Sequence, residues 1–294
     1  MLQHVKNIIF NIMNNHITKK YAVIGDPIAH SLSPAMHNAA FKALDMNAEY
    51  TAVHITPQNL ENFVRNARES LAGFNVTVPH KQEIIKYLDD ISEECRITGS
   101  VNTVVNKNGR LYGYSTDGYG LKTAIEEAFN IDTSESAVMF LGCGGTVKAV
   151  TYYLLKHSVR KLFIANRTVS KADELVNSLQ KRFPETEISS VPLTDTGQMQ
   201  KAISSVNILI QATSLGLKDG DPCPIATELL HHDLYIFDTI YRQTPLLTEA
   251  KKKNIPHADG SLMLVHQGAK AFSIWTGIAP PIDIMKKAVE EARQ

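Results

Sequence analysis

A chain of 294 residues, 44% hydrophobic and 20% charged, has the length of two globular domains and an ordinary soluble composition. Thirty basic and thirty acidic residues cancel, so the sequence lacks the electrostatic footprint that nucleic acid or an anionic membrane surface requires. No apolar run approaches the roughly 20 residues of a membrane span. The histidines show no metal-ligand spacing, and three scattered cysteines, Cys95, Cys143 and Cys223, predict a reduced, cytoplasmic setting.

Residues 1–19 lack the apolar block and cleavage site of a signal peptide, and Val5, Ile8, Ile9, Ile12 and Met13 carry the spacing of a short helix. Beyond them, strand and helix patterns alternate, which predicts an α/β fold with largely parallel sheets. The first third predicts strands over 21–24, 50–54 and 73–78 and helices over 34–43, 57–69 and 81–89. A hairpin pairs 101–105 with 111–115, turned at Asn108 and Gly109. The second series holds a strand from 138, a glycine-rich turn and a helix to 156, then strand 161–165, helix 170–183 and strand 206–212. Strand 235–240, helix 245–254 and closing helices over 261–275 and 282–292 follow. The two series predict two domains, split near residues 118–122.

In "GDPIAHSLSPAMHNAAF", residues 25–41, Ser33 reads as the N-cap of a helix whose first residue is Pro34. Ser31 is not needed for that cap. In an extended lead-in it points the same way as Ser33, so both hydroxyls face one spot beside a helix N-terminus that favours an anion. One cap and one loop serine is the plainer alternative. In "GFNVTVPHK", Asn75 and Thr77 share a strand face, and Lys81 falls in the first turn of the next helix, where the dipole repels it. Solvated, such a lysine is ordinary; in a cleft, dipole and desolvation would make its ammonium an easier proton donor. The hairpin register sets Asn102 opposite Ser115, with Asp117 diagonal on the same face. Asp117 is then either a cleft carboxylate or the cap of the next helix. Gln267 borders an apolar stripe of Leu264, Gly268, Ala271 and Trp275, and needs a structural partner or a polar ligand if buried.

"SAVMFLGCGGTVKAVTYYLL" is a strand, a turn and a helix start. Gly142, Gly144 and Gly145 let the backbone approach a pyrophosphate at the helix N-terminus, although Val147 stands where a third glycine is usual. The next strand ends in Asn166, Arg167 and Thr168, with Lys171 a turn later. It offers no acid at the place, about 20 residues past the glycines, where an NAD-binding chain holds the ribose hydroxyl. Alone, these residues would be a solvated helix start. After a glycine turn they predict NADP, because Arg167 can fork onto a phosphate and Thr168 can donate to it.

Taken together, these blocks resemble the shikimate dehydrogenase family over residues 20–294. Gly25, Pro27, His30, Ser31, Ser33, Pro34, His37 and Asn38 match its opening signature, and "NVTVPHK", "GSVNTV", "STDGYG", "GCGG", "NRT", "ATSLGL" and "HQGAKAFSIWTG" follow in the family's order. The resemblance implies a substrate domain of residues 1–117 and 260–294 with a mainly parallel sheet. It also implies a Rossmann-like NADP domain of residues 118–259, with the final helices packing back on the first domain. The implied reaction is reversible reduction of 3-dehydroshikimate to shikimate by NADPH, with Lys81 and Asp117 as the catalytic pair. Ser31 and Ser33 then bind the substrate carboxylate with Tyr241 near it, while Thr77, Lys81, Asn102, Asp117 and Gln267 hold the ring hydroxyls. The cofactor falls to Gly142, Gly144, Gly145, Thr146, Asn166, Arg167, Thr168 and Lys171, with Thr213 and Gly260 along the nicotinamide.

Some positions depart from the family. Its usual residues are asparagine where Gln211 and Ser115 stand, alanine at Thr146 and methionine at Leu217, and the loop after Tyr241 is short. A quinate or aminoshikimate dehydrogenase is the nearest rival. A ligand-sensing regulator on the same scaffold is the reading from another class, and intact Lys81 and Asp117 argue against it. The expected state is a monomer or homodimer acting on a small molecule.

Overall fold

The alternating pattern builds two six-stranded sheets. The computed structural model describes residues 18–293, and these divide into one unit of residues 18–116 and 268–293 and a second of residues 117–267. The helix expected over Val5 to Met13 lies outside the described residues.

In the first unit, β1 (Lys19–Gly25) is flanked by β2 (Ala48–His54) and β3 (Gly73–Val76), both parallel to it. The hairpin of β5 (Thr103–Lys107) and β6 (Arg110–Tyr114) adds antiparallel to β3, and the two-residue β4 (Asp90–Ile91) closes the sheet beside β6. Parallel pairings thus outnumber antiparallel ones three to two. Asn108 and Gly109 take φ of 54° and 85°, as a two-residue hairpin turn matching the strand twist demands. Lys107 therefore pairs with Arg110 and Thr103 with Tyr114, in the register read from the sequence. This topology puts the start of β5 and the end of β6 at the same sheet edge as the C-terminal ends of β1 and β3.

Helices α1 (Ser33–Ala43), α2 (Leu60–Ser70) and α3 (Glu93–Thr98) complete this part of the unit. Leu60, Val64, Phe74, Val76, Ile84 and Val104 form its core. The expected helix over 81–89 is instead a turn followed by a 3-10 helix, Glu83–Tyr87.

The second unit begins with α4 (Asp117–Phe129), where the sequence reading expects a break. Gly118 and Gly120, near the start of this helix, serve packing. A Cβ on Gly118 would lie 2.3 Å from Tyr153 Cβ, and one on Gly120 would lie 2.7 Å from Gln267 Cβ. Then come β7 (Ala137–Leu141), α5 (Gly145–Lys156), β8 (Lys161–Asn166), α6 (Val169–Gln180), β9 (Glu187–Pro192) and α7 (Thr196–Ile203). They are followed by β10 (Ile208–Gln211), β11 (Tyr235–Asp238), α8 (Pro245–Lys252) and β12 (His257–Ala258). All strands run parallel in the spatial order β9-β8-β7-β10-β11-β12. In chain order that is third, second, first, fourth, fifth and sixth, the dinucleotide-binding arrangement. The sequence reading missed β9 and α7, because "EISSVP" at a sheet edge carries little apolar signal.

The division between units falls inside α9 (Ser261–Thr276). Its later half and α10 (Ile282–Ala292) belong to the first unit: α10 packs along α1, and Trp275 Nε1 donates to the Val104 carbonyl at 2.9 Å. Among the described residues no helix is long and apolar enough to cross a membrane.

Candidate active site

Connectivity puts five residues singled out in the sequence at one edge of the first sheet. Ser31 and Ser33 follow β1, Thr77 and Lys81 follow β3, and Asn102 precedes β5. Parallel strands characteristically place ligands at this carboxyl edge. The helix start differs from expectation. Leu32 already has helical dihedrals, α1 begins at Ser33, and the Ser31 hydroxyl oxygen accepts the Ser33 N–H at 3.3 Å. Ser33 is thus the first helical residue rather than the N-cap, and its own N–H is held by Ser31. Ser33 is buried, and its side chain turns to Tyr50, whose phenol burial pushes well above the usual range while the bond with Ser33 offsets part of the shift.

From Tyr50 a buried polar chain runs along the edge. The Tyr50 hydroxyl donates to Asn75 Oδ1 at 2.6 Å, and Asn75 Nδ2 donates to the Asn102 carbonyl and to Thr103 Oγ1, both at 3.0 Å. The Asn102 carbonyl can only accept, so the Asn75 amide has one orientation and Tyr50 must be the donor to it. Asn102 Oδ1 accepts the Thr116 N–H at 2.8 Å, and its Nδ2 donates to Thr116 Oγ1 at 2.9 Å. Asn102 thus bonds the residue after Ser115, and the next residue in the chain is Asp117, buried in the first turn of α4. Thr77 N–H donates to the Ile24 carbonyl at 2.9 Å, and the Lys81 carbonyl accepts the Val101 N–H at 2.8 Å, one residue before Asn102. Lys81 precedes a five-residue 3-10 helix, so it does not occupy the first turn of an α-helix and the dipole argument for it fails.

In the second unit the glycine turn follows β7. Gly142 takes φ 104°, and a Cβ there would meet the Ala212 carbonyl at 2.9 Å, so only glycine fits. Gly144 flanks the start of α5 without a side-chain cap, and at Gly144 and Gly145 an added Cβ would meet nothing within 4 Å. The helix N-terminus is therefore open to an anion. Cys143 Sγ donates to the Lys171 carbonyl at 3.3 Å, which ties the turn to the start of α6. Arg167, Thr168 and Lys171 are exposed there, Thr146 is half-buried on α5, and Asn166 Nδ2 donates to the Thr168 carbonyl at 2.8 Å.

The ends of β10, β11 and β12 hold the remaining candidates. The Gln211 carboxamide accepts the Thr213 N–H and donates to the Leu215 carbonyl, both at 2.7 Å, so the longer side chain at this departure clasps the turn that carries Thr213. A Cβ on Gly260 would lie 2.3 Å from the Thr239 carbonyl oxygen. Tyr241 is partly exposed, and burial of its phenol pushes its pKa up. Gln267 Nε2 donates to the Leu264 carbonyl at 2.9 Å.

Residues 23–104 match the shikimate dehydrogenase substrate binding domain, residues 123–217 match shikimate / quinate 5-dehydrogenase, and residues 260–290 match the shikimate 5'-dehydrogenase C-terminal domain. A shikimate dehydrogenase (NADP(+)) of Methanocaldococcus jannaschii is 40% identical over 288 residues, 94% of this chain and 98% of its own. The chain belongs to the shikimate dehydrogenase family. A family structure from Thermus thermophilus, solved with NADP(H) and shikimate, superposes with TM-score 0.84 at 34% identity, covering 94% of this chain and all of that one. A quinate dehydrogenase of Corynebacterium glutamicum in complex with NAD gives TM-score 0.84 at 27% identity, covering 93% and 99%. The sequence reading of this family member passed over Tyr50, Thr103 and Thr116. A usable signal was present at Asn75, a polar residue inside the fully buried strand "GFNV", where an amide needs internal partners.

Proposed function

We propose that the protein catalyses reversible hydride transfer between NADPH and the ring ketone of 3-dehydroshikimate, yielding shikimate. The reading is supported by the placement of Ser31, Ser33, Thr77, Lys81 and Asn102 beside strand ends at one sheet edge in a chain of this family. Two hydroxyls beside a helix N-terminus suit a carboxylate, and a threonine and an amide suit ring hydroxyls. Tyr241, Gln267 and Asp117 are assigned to the same substrate by their match to the family's motifs.

The open N-terminus of α5 fits a pyrophosphate, so Gly142, Gly144, Gly145 and Thr146 are assigned to it, and Asn166, Arg167, Thr168 and Lys171 to a ribose 2′-phosphate. Thr213 and Gly260 are assigned to the nicotinamide side. Bound there, NADPH supplies the hydride. As the ketone oxygen gains charge, Lys81 Nζ delivers a proton to it, and Asp117 is its partner in the catalytic pair. Residues 1–117 and 260–294 are then the substrate domain and residues 118–259 the cofactor domain.

We assign the protein to the cytoplasm as a monomer or homodimer. Quinate is the second reading, favoured by the likeness to a quinate dehydrogenase. The lack of an acid among Asn166, Arg167 and Thr168 argues against the NAD preference that structure's ligand suggests. Steady-state kinetics with shikimate and quinate, each with NADP and NAD, test both. The expected order is shikimate with NADP first by at least an order of magnitude in kcat/KM; quinate or NAD leading would overturn the reading.

A further inference from the structure

Asp238 ends β11, and its side chain has no exposure to solvent. Both carboxylate oxygens are engaged: Oδ1 accepts the Ile240 N–H at 3.0 Å, and Oδ2 accepts the Thr244 hydroxyl at 2.7 Å. Thr244 is itself buried and caps α8, its Oγ1 accepting the Leu247 N–H at 3.3 Å. One carboxylate therefore grips both ends of the segment 239–244, from which Tyr241 projects partly exposed. The same segment is tied on either side. Thr239 N–H donates to the Gln211 carbonyl at 3.0 Å, and Gly260 N–H donates to the Ile240 carbonyl at 3.2 Å.

We propose that Asp238 is a positioning residue whose ionised carboxylate fixes the segment that presents Tyr241 to the substrate. The inference rests on the assignment of Tyr241 given above. An ionised carboxylate is a costly means of satisfying one N–H and one hydroxyl at a fully buried position, where an amide would carry no charge. Burial pushes its carboxyl up to about 6; the Ile240 N–H and the Thr244 hydroxyl act against this, and the Asp259 carboxylate adds to it. Cys223 also senses its charge.

The charged form accepts strongly from both donors. Protonated, the oxygen that carries the hydrogen is a much weaker acceptor, so one contact weakens or reverses. Reversal at Thr244 would strand its own proton, because the acceptor it now uses would have become a donor.

The test measures KM and kcat for shikimate between pH 5 and 8 at saturating NADP. It compares the wild type, Asp238→Asn, Thr244→Ser, Thr244→Val, Tyr241→Phe and the double variant Asp238→Asn/Tyr241→Phe. The wild-type KM should rise as pH falls through about 6. In Asp238→Asn it should be raised about fivefold, the factor one hydrogen bond carries, with no inflection near that pH and kcat little changed. Thr244→Ser keeps the donor and should restore wild-type behaviour, while Thr244→Val should behave like Asp238→Asn. In the Tyr241→Phe background Asp238→Asn should add nothing.

A wild-type KM and pH profile in Asp238→Asn overturns the inference, as does additivity in the double variant. If Asp238→Asn does not fold, the Thr244 pair decides: equal KM values for Ser and Val overturn it. An unchanged KM in Tyr241→Phe overturns the underlying assignment of Tyr241, and the inference with it. A raised KM there beside wild-type behaviour in Asp238→Asn overturns the inference alone.

Discussion

Asp238 also sets a sign for how stability depends on pH. Its carboxyl titrates at about 6 in the folded protein, against an ordinary value of 3.8. Between those values the folded state holds a proton that the unfolded chain has released, so stability is lost as pH rises from about 4 through 6. A shift of this size corresponds to roughly 3 kcal/mol, and a side chain with no solvent exposure needs no discount for screening. Asp238→Asn cannot ionise and escapes that loss. It gives up about 1 kcal/mol at every pH, because its amide meets the Thr244 hydroxyl as a donor.

The variant should therefore melt close to the wild type at pH 4.5 and stand above it by roughly 2 kcal/mol at pH 7.5, about 4 °C or more in Tm. Urea unfolding of both proteins at a series of pH values measures the difference directly. Parallel stability curves across that range would refute the reasoning, since they would mean the carboxyl titrates alike in both states.

Ser31→Ala should raise KM for shikimate and also cost about 0.5–1 kcal/mol in unfolding, because its hydroxyl oxygen holds the Ser33 N–H; a wild-type Tm counts against that bond. Gly260→Ala should destabilise by about 2 kcal/mol or more, since its Cβ would meet backbone at 2.3 Å, and an unperturbed melt would show that the segment yields. Lys81→Ala should cut turnover by ~10²-fold or more while NADP titrates as before; more than about a tenth of wild-type turnover contradicts a proton-transfer role. Arg167→Asp should weaken NADP binding and move the kcat/KM ratio towards NAD, and a ratio that stays put in one buffer removes Arg167 from phosphate recognition.

Much of the candidate site was legible because its parts are local. The turn at Asn108 and Gly109 needs positive φ at both positions, and that alone sets the hairpin register and brings Asn102 to the end of β6. The glycines after β7 and the missing acid after β8 are likewise messages a few residues long. Where the reading failed, the deciding term was not local. Whether Ser31 or Ser33 holds the helix start depends on the dihedrals of Leu32 between them, and local sequence assigns the cap to Ser33 and not to Ser31. Lys81 was placed on a helix dipole that a 3-10 turn does not provide.

The sequence by itself determined the alternation of strands and helices, the parallel second sheet, the phosphate-binding turn and the residue types offered to substrate and cofactor. Periodicity and turn chemistry act over a handful of neighbouring positions, and no distant partner is needed to read them. Tertiary structure alone decided that Gly118 and Gly120 stand where Tyr153 and Gln267 leave no room for a side chain. It also decided that Tyr50, Asn75, Asn102 and Thr116 form one hydrogen-bonded chain, and that Asp238 is buried deeply enough to titrate near 6. Burial, close approach and the pairing of polar groups arise between residues far apart in the chain, and they take their values only once the sheets have closed around them.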